Sequence, residues 1–178
     1  MRQFILGIVA LGLTAGCTFS AVTPRTAVAP PAPSPSTLVL GQIVVADPSW
    51  ESAAVVFKRG VSDWLGRNGG FQGVLIEPPP ETAPDSVVLR GTITEVDKGS
   101  AVLRFLIGMG AGQAQVKGAF EIARPDGAVL ASFTARESYL GGAGIGGAGL
   151  LDTDDLIRRF AETVAKTTRD WARGESIK

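Results

Sequence analysis

The chain predicts an α+β fold, a mainly antiparallel sheet with two helices packed on one face. Three observations carry that expectation. Apolar and polar residues alternate across 86–97 and 114–135, the period of half-buried strands. Large apolar residues recur at three-four spacing over 50–65 and 156–171, the period of amphipathic helices. The order strand, helix, strands, hairpin, helix leaves most strands joined by short turns, which favours antiparallel pairing.

Taken in order, Leu38 to Ala46 is a short β-branched run, apolar on both faces, that ends at Asp47-Pro48. Asp47 is placed to cap a helix that Pro48 starts. Trp50, Ala53 or Ala54, Phe57, Val61, Trp64 and Leu65 fall on one face of that helix and are expected in the core. It should stop near Gly66 to Gly70. Val74 to Ile76 reads as a brief strand, and Pro78-Pro79-Pro80 with Pro84 as a loop, since no central strand accepts them. Val87, Leu89, Gly91 and Ile93 alternate with Arg90, Thr92 and Thr94, and Lys98-Gly99 turns the chain. Ala114, Val116, Gly118, Phe120 and Ile122 face one way on the first arm of a hairpin. Arg124-Pro125-Asp126-Gly127 supplies its turn, and Val129, Ala131, Phe133 and Ala135 return. A last helix from about Thr153 to Arg173 buries Leu156, Ile157, Phe160, Ala161, Val164, Thr168 and Trp171. Acids at 152, 154 and 155 sit at its positive end and Lys166, Arg169 and Arg173 at its negative end.

Composition removes several functions. The 178 residues carry 17 basic and 17 acidic side chains, so the basic surplus of a nucleic-acid binder is missing. With no histidine and one cysteine, an intramolecular disulfide framework, His-ligated metals, the Ser-His-Asp triad and the Cys-His dyad are all excluded. No cofactor is implied, and no catalytic or metal-binding set stands out.

The N-terminus reads as an address. Arg2 precedes the apolar run Phe4–Leu13 and then small residues, the layout of a secretory signal. The run is too short for the roughly 20 apolar residues of a bilayer span. Leu13-Thr14-Ala15-Gly16-Cys17 resembles the lipobox of bacterial lipoproteins. That resemblance implies cleavage after Gly16, acyl chains on Cys17 and, because Thr18 rather than aspartate follows, an outer-membrane location with the domain facing the periplasm. The expected organisation is a signal peptide over 1–16, a lipidated cysteine with a proline-rich tether over 17–37, and one domain over 38–174. Residues 17–178 hold 16 basic and 17 acidic side chains, so attachment would rest on lipid rather than on charge. The prolines at 24, 30, 31, 33 and 35 suggest a semi-rigid spacer, with a proline-recognition ligand as the alternative.

Leu89-Arg90-Gly91-Thr92-Ile93-Thr94, followed by Leu103-Arg104-Phe105-Leu106-Ile107-Gly108-Met109-Gly110-Ala111-Gly112-Gln113-Ala114, resembles a bacterial lipoprotein family known only as domain of unknown function 4410. The resemblance runs over about 38–173. It implies an envelope-anchored or secreted globular domain and no reaction.

Two glycine clusters invite functional readings. Gly142-Ala143-Gly144-Ile145-Gly146-Gly147 satisfies the dinucleotide fingerprint, yet the strand before it belongs to a hairpin and no second parallel strand follows to supply a ribose-binding acid. Gly108, Gly110 and Gly112 lack the Gly-Lys-Ser/Thr ending of a phosphate loop. Flexible turns are the plain reading of both clusters. The sharper one makes Gly108, Gly110, Gly112, Gly142, Gly144 and Gly146 contact points for a partner or a lipid, because their segments are small, apolar and nearly uncharged. Asp152-Thr153-Asp154-Asp155 lacks the sixth-position glycine of a calcium loop and reads as a helix cap. Glu95 and Asp97 share a strand face and read as solvated. Three functions remain open: a binding module with an envelope protein as partner, a periplasmic carrier of a small apolar or lipid-like molecule, and an enzyme using two converging acids. A cavity between sheet and helices would favour the carrier; a solid core would favour the binding module.

Overall fold

The structure, a computed structural model, describes residues 17–31, 34–76, 85–99, 113–140 and 152–177. Its elements are β1 (Cys17–Ala27), β2 (Thr37–Val45), α1 (Ser52–Asn68), β3 (Gly73–Ile76), β4 (Ser86–Asp97), β5 (Ala114–Ala123), β6 (Val129–Leu140) and α2 (Thr153–Ala172). The strands form one sheet in the order β1-β6-β5-β4-β2-β3. Pairing is antiparallel except around β2, which runs parallel to both β3 and β4. A helical crossover makes parallel neighbours possible, and α1 supplies it between β2 and β3. The expected α+β class with a mainly antiparallel sheet is what the chain adopts. β2 is buried on both faces from Leu38 to Gly41, which explains its run of apolar residues without alternation.

Both helices lie on one face of the sheet, α1 over β2 and β3, α2 over β5 and β6, and they pack on each other. Four phenylalanines fill the space beneath them. Phe57 of α1 stacks on Phe120 of β5 with ring centroids 5.2 Å apart at 8°, while Phe133 and Phe160 lean on Phe120 at 5.8 and 5.7 Å. Burying each ring contributes roughly 1.5–3 kcal/mol. Glycines make room for this cluster. A Cβ on Gly118 would come within 2.8 Å of the Phe120 ring, and one on Gly91 within 2.3 Å of the Ala119 carbonyl oxygen. The helices approach closely for the same reason, since a Cβ on Gly60 would meet that of Ala161 at 2.8 Å.

The helix ends follow local chemistry. Asp152 Oδ1 accepts from the Asp154 amide at 3.4 Å at the start of α2, and α1 ends at Gly69, whose φ of 66° few other residues tolerate. In the hairpin, Gly127 has φ 90° and its amide bonds the Arg124 carbonyl at 2.9 Å, closing the expected turn.

Two expectations need correction. Trp50 and Trp64 are half-buried at the rim rather than in the core. Asp47 caps a single 3-10 turn, Pro48–Trp50, so Trp50 precedes α1 and lies under the Lys98 ammonium at 4.8 Å, while Arg169 covers Trp64 at 4.8 Å. The second correction concerns the tether. Residues 17–27 do not form a spacer but an edge strand, β1, paired with β6 from Cys17↔Leu140 to Ala27↔Ala131. Edge position is what admits Pro24, which sits at a bulge between Pro24 and Thr26. Val22 packs on the core, and just past the strand the Trp171 indole N–H donates to the Val28 carbonyl at 2.9 Å.

Candidate functional site

Cys17 opens β1, and the pairing register shows which end of the sheet it marks. Cys17 lies opposite Leu140, Tyr139 opposite Ala114, and Gln115 opposite Asp97. The chain therefore leaves β4, enters β5 and leaves β6 at the same end of the sheet as the cysteine. The glycines at 108, 110, 112, 142, 144 and 146 lie outside the described residues, as does the loop of prolines at 78–80. The glycine segments follow β4 and β6 at this same end.

A carboxylate lies buried toward this end, on the helix-covered face. Glu137 of β6 is 2% exposed, and its Oε2 accepts from Ser20 Oγ of β1 at 2.6 Å and from Thr163 Oγ1 of α2 at 3.1 Å. One side chain thus ties the edge strand, its neighbour and the final helix. Sequence reasoning passed over it because it occupies an inward position of an otherwise apolar alternation, where a charge is not expected.

Among the described residues no helix covers the opposite face of the sheet. In-register pairing lays Thr23, Thr134, Ala119 and Thr92 across four strands as a row of short side chains. On one side of the row Lys117 Nζ donates to Glu95 at 2.7 Å, and Arg136 Nε to Ser138 at 2.9 Å. On the other side Arg90 meets Glu121 Oε2 through Nε and Nη2, both at 3.0 Å. On the Arg90–Glu121 side lies a concavity of about 400 Å³ whose lining includes Arg25, Gln42, Arg90, Thr92, Glu121 and Ser132. Bulges in β1 and β2 flank it and increase the local twist that makes it concave.

The acids singled out in the sequence have structural partners. Glu95 is engaged by Lys117 and Gln115, and Asp97 accepts from the Gly99 amide at 2.7 Å, so the two do not converge as a pair. Asp155 pairs with Arg158, and Asp152 caps α2. Asp47 titrates below its ordinary value because the Ser49 amide and hydroxyl bond its carboxylate. Burial pushes the Asp170 carboxyl up, but Lys166 and Arg169 together outweigh it and hold the group below its ordinary value. Among the described residues no cluster of acids or cysteine is placed to hold a metal, and no helix is long and apolar enough to cross a membrane.

The arrangement is an α+β domain with one sheet face covered by two helices and, among the described residues, no helix over the other. Residues 66–143 match the family model described as Domain of unknown function (DUF4410). Among solved structures, the fold is similar to the PelC dodecamer from Paraburkholderia phytofirmans, with a TM-score of 0.53 at 16% identity, covering 90% of this chain and 99% of that one. A variant PelC dodecamer from the same organism aligns with a TM-score of 0.43 at 21% identity, over 82% of this chain and 95% of that one. No curated protein matches the chain in sequence.

Proposed function

We propose that the chain is an outer-membrane lipoprotein, anchored through acyl chains on Cys17, whose periplasmic domain works by binding rather than catalysis. Its partner is further copies of itself in an envelope assembly. The observation that carries the reading is a fold shared with nearly the whole of a chain that forms a dodecamer. Support also comes from the sequence Leu13-Thr14-Ala15-Gly16-Cys17 and from the filled centre of the domain. Phe57, Phe120, Phe133 and Phe160 occupy the space between sheet and helices that a carrier would keep for its ligand.

Because β1 starts at Cys17, the anchor in this reading attaches at the corner of the sheet with no spacer between lipid and fold. Two or more acyl chains give lasting attachment where one gives only reversible binding. The domain then rests on the membrane at the end marked by Cys17. Segments 100–112 and 141–151, which carry Arg104 as their one charge, join elements at that end.

Fractionation of cells expressing the full chain and its Cys17→Ser variant tests the anchor. The parent should pellet with outer membranes, and the variant should appear in the soluble fraction or remain unprocessed. Normal processing and unchanged membrane attachment of the variant would overturn the reading.

A further inference from the structure

Polar side chains on the open face of the sheet fall into two groups. Toward the Cys17 end they are used on one another, Lys117 and Gln115 on Glu95, Arg136 on Ser138. Around the concavity they are not. Arg90 and Glu121 pair, but Arg25, Gln42, Thr92 and Ser132 have no side-chain hydrogen bond or ion pair among the described residues. These four come from four different strands or strand edges and converge on one hollow of about 400 Å³.

We propose that this hollow binds a small hydroxylated anion of the sugar-acid class. The charge balance selects the anion: Arg25 and Arg90 against Glu121 leave one net positive charge, with Arg25 uncommitted. A guanidinium presents a planar fork of donors that matches a carboxylate. The remaining groups select hydroxyls. Gln42 offers donor and acceptor, Thr92 and Ser132 offer hydroxyls, and the paired Glu121 keeps lone pairs free for a ligand O–H. The volume lies near the lower end of small-molecule sites, which suits a monosaccharide and not a folded partner. Val44, which is exposed, supplies an apolar contact for the ring's C–H face.

Isothermal titration of the full chain, purified in detergent, tests this, with D-glucuronate as the probe, D-glucose as its uncharged counterpart and inorganic phosphate as a bare anion. Glucuronate should bind at least tenfold more tightly than either. Arg25→Ala should weaken glucuronate tenfold or more, and Ser132→Phe, which fills the hollow without touching the charge, should abolish binding. Arg136→Ala, on the same face but outside the hollow, should leave it unchanged. Melting curves of the variants confirm that each is folded. Absence of binding at millimolar concentration, equal binding of glucose, equal binding of phosphate, or indifference to both Arg25→Ala and Ser132→Phe would each overturn the proposal. None of these outcomes depends on the Cys17 anchor or on the number of copies in the assembly.

Discussion

Glycine and phenylalanine divide the interior of this domain between them. Phe120 lies where Gly91 and Gly118 leave the sheet bare, and that vacancy lets Phe57 of α1 stack flat on it. Gly118→Ala should therefore destabilise the fold by about 1–3 kcal/mol, the usual cost of overpacking, because its new methyl meets both the ring and the Thr92 carbonyl oxygen at 2.9 Å. Gly66→Ala supplies the contrast. Gly66 is inside α1 with nothing within 4 Å of a Cβ, so the same change should stabilise by up to about 1 kcal/mol through helix propensity. Urea denaturation of both variants reads the two signs, and a neutral Gly118→Ala would contradict the packing described. At this scale the sequence was informative about apolar positions and silent about polar ones. Inward residues such as Phe120 and Leu156 follow directly from period. Glu137 does not, because its burial depends on Ser20 and Thr163, partners 117 and 26 residues away.

The elements were legible in proportion to the strength of their period. α2, with ten buried residues along its inner stripe, begins at the predicted Thr153 and ends one residue before the predicted Arg173. β1 was missed because its alternation, Thr18, Ser20, Val22 inward against Phe19, Ala21, Thr23 outward, mixes polar and apolar residues on both faces and puts its largest apolar side chain, Phe19, outside. Prolines beyond it then made the whole stretch resemble a spacer. Parallel pairing of β2 was likewise unreadable, since it is decided by where α1 returns the chain. The C-terminal turn of α2 carries a pH prediction. Asp170 titrates lower in the folded chain than unfolded, so its stabilisation is full above the ordinary carboxylate range and drains away as pH falls below about 4. Asp170→Asn should cost about 1 kcal/mol at pH 7 and clearly less near pH 2. Denaturation midpoints at the two pH values check this; an equal loss at both would assign the effect to packing rather than charge.

For the whole molecule, fold class and layer arrangement were readable from the order of periods, whereas the open-face hollow was not. It is assembled from five strands by register and by two bulges, neither of which a period encodes. Orientation is a consequence of the same topology. Trp50 follows β2 at the Cys17 end and contacts Lys98, which follows β4, while Trp64 and Trp171 belong to the far ends of their helices. In vesicles containing brominated lipid, Trp50→Phe should remove most of the quenchable emission of the anchored protein and Trp64→Phe little of it. The reverse pattern would turn the domain over.

Native mass spectrometry of the full chain, extracted from bacterial membranes in detergent, tests the central claim most directly because one mass reports processing, acylation and copy number together. The expected species is a closed assembly of identical subunits, each beginning at Cys17 and each heavier than its sequence by two or three acyl chains. An unacylated monomer that retains residues 1–16 would contradict the account.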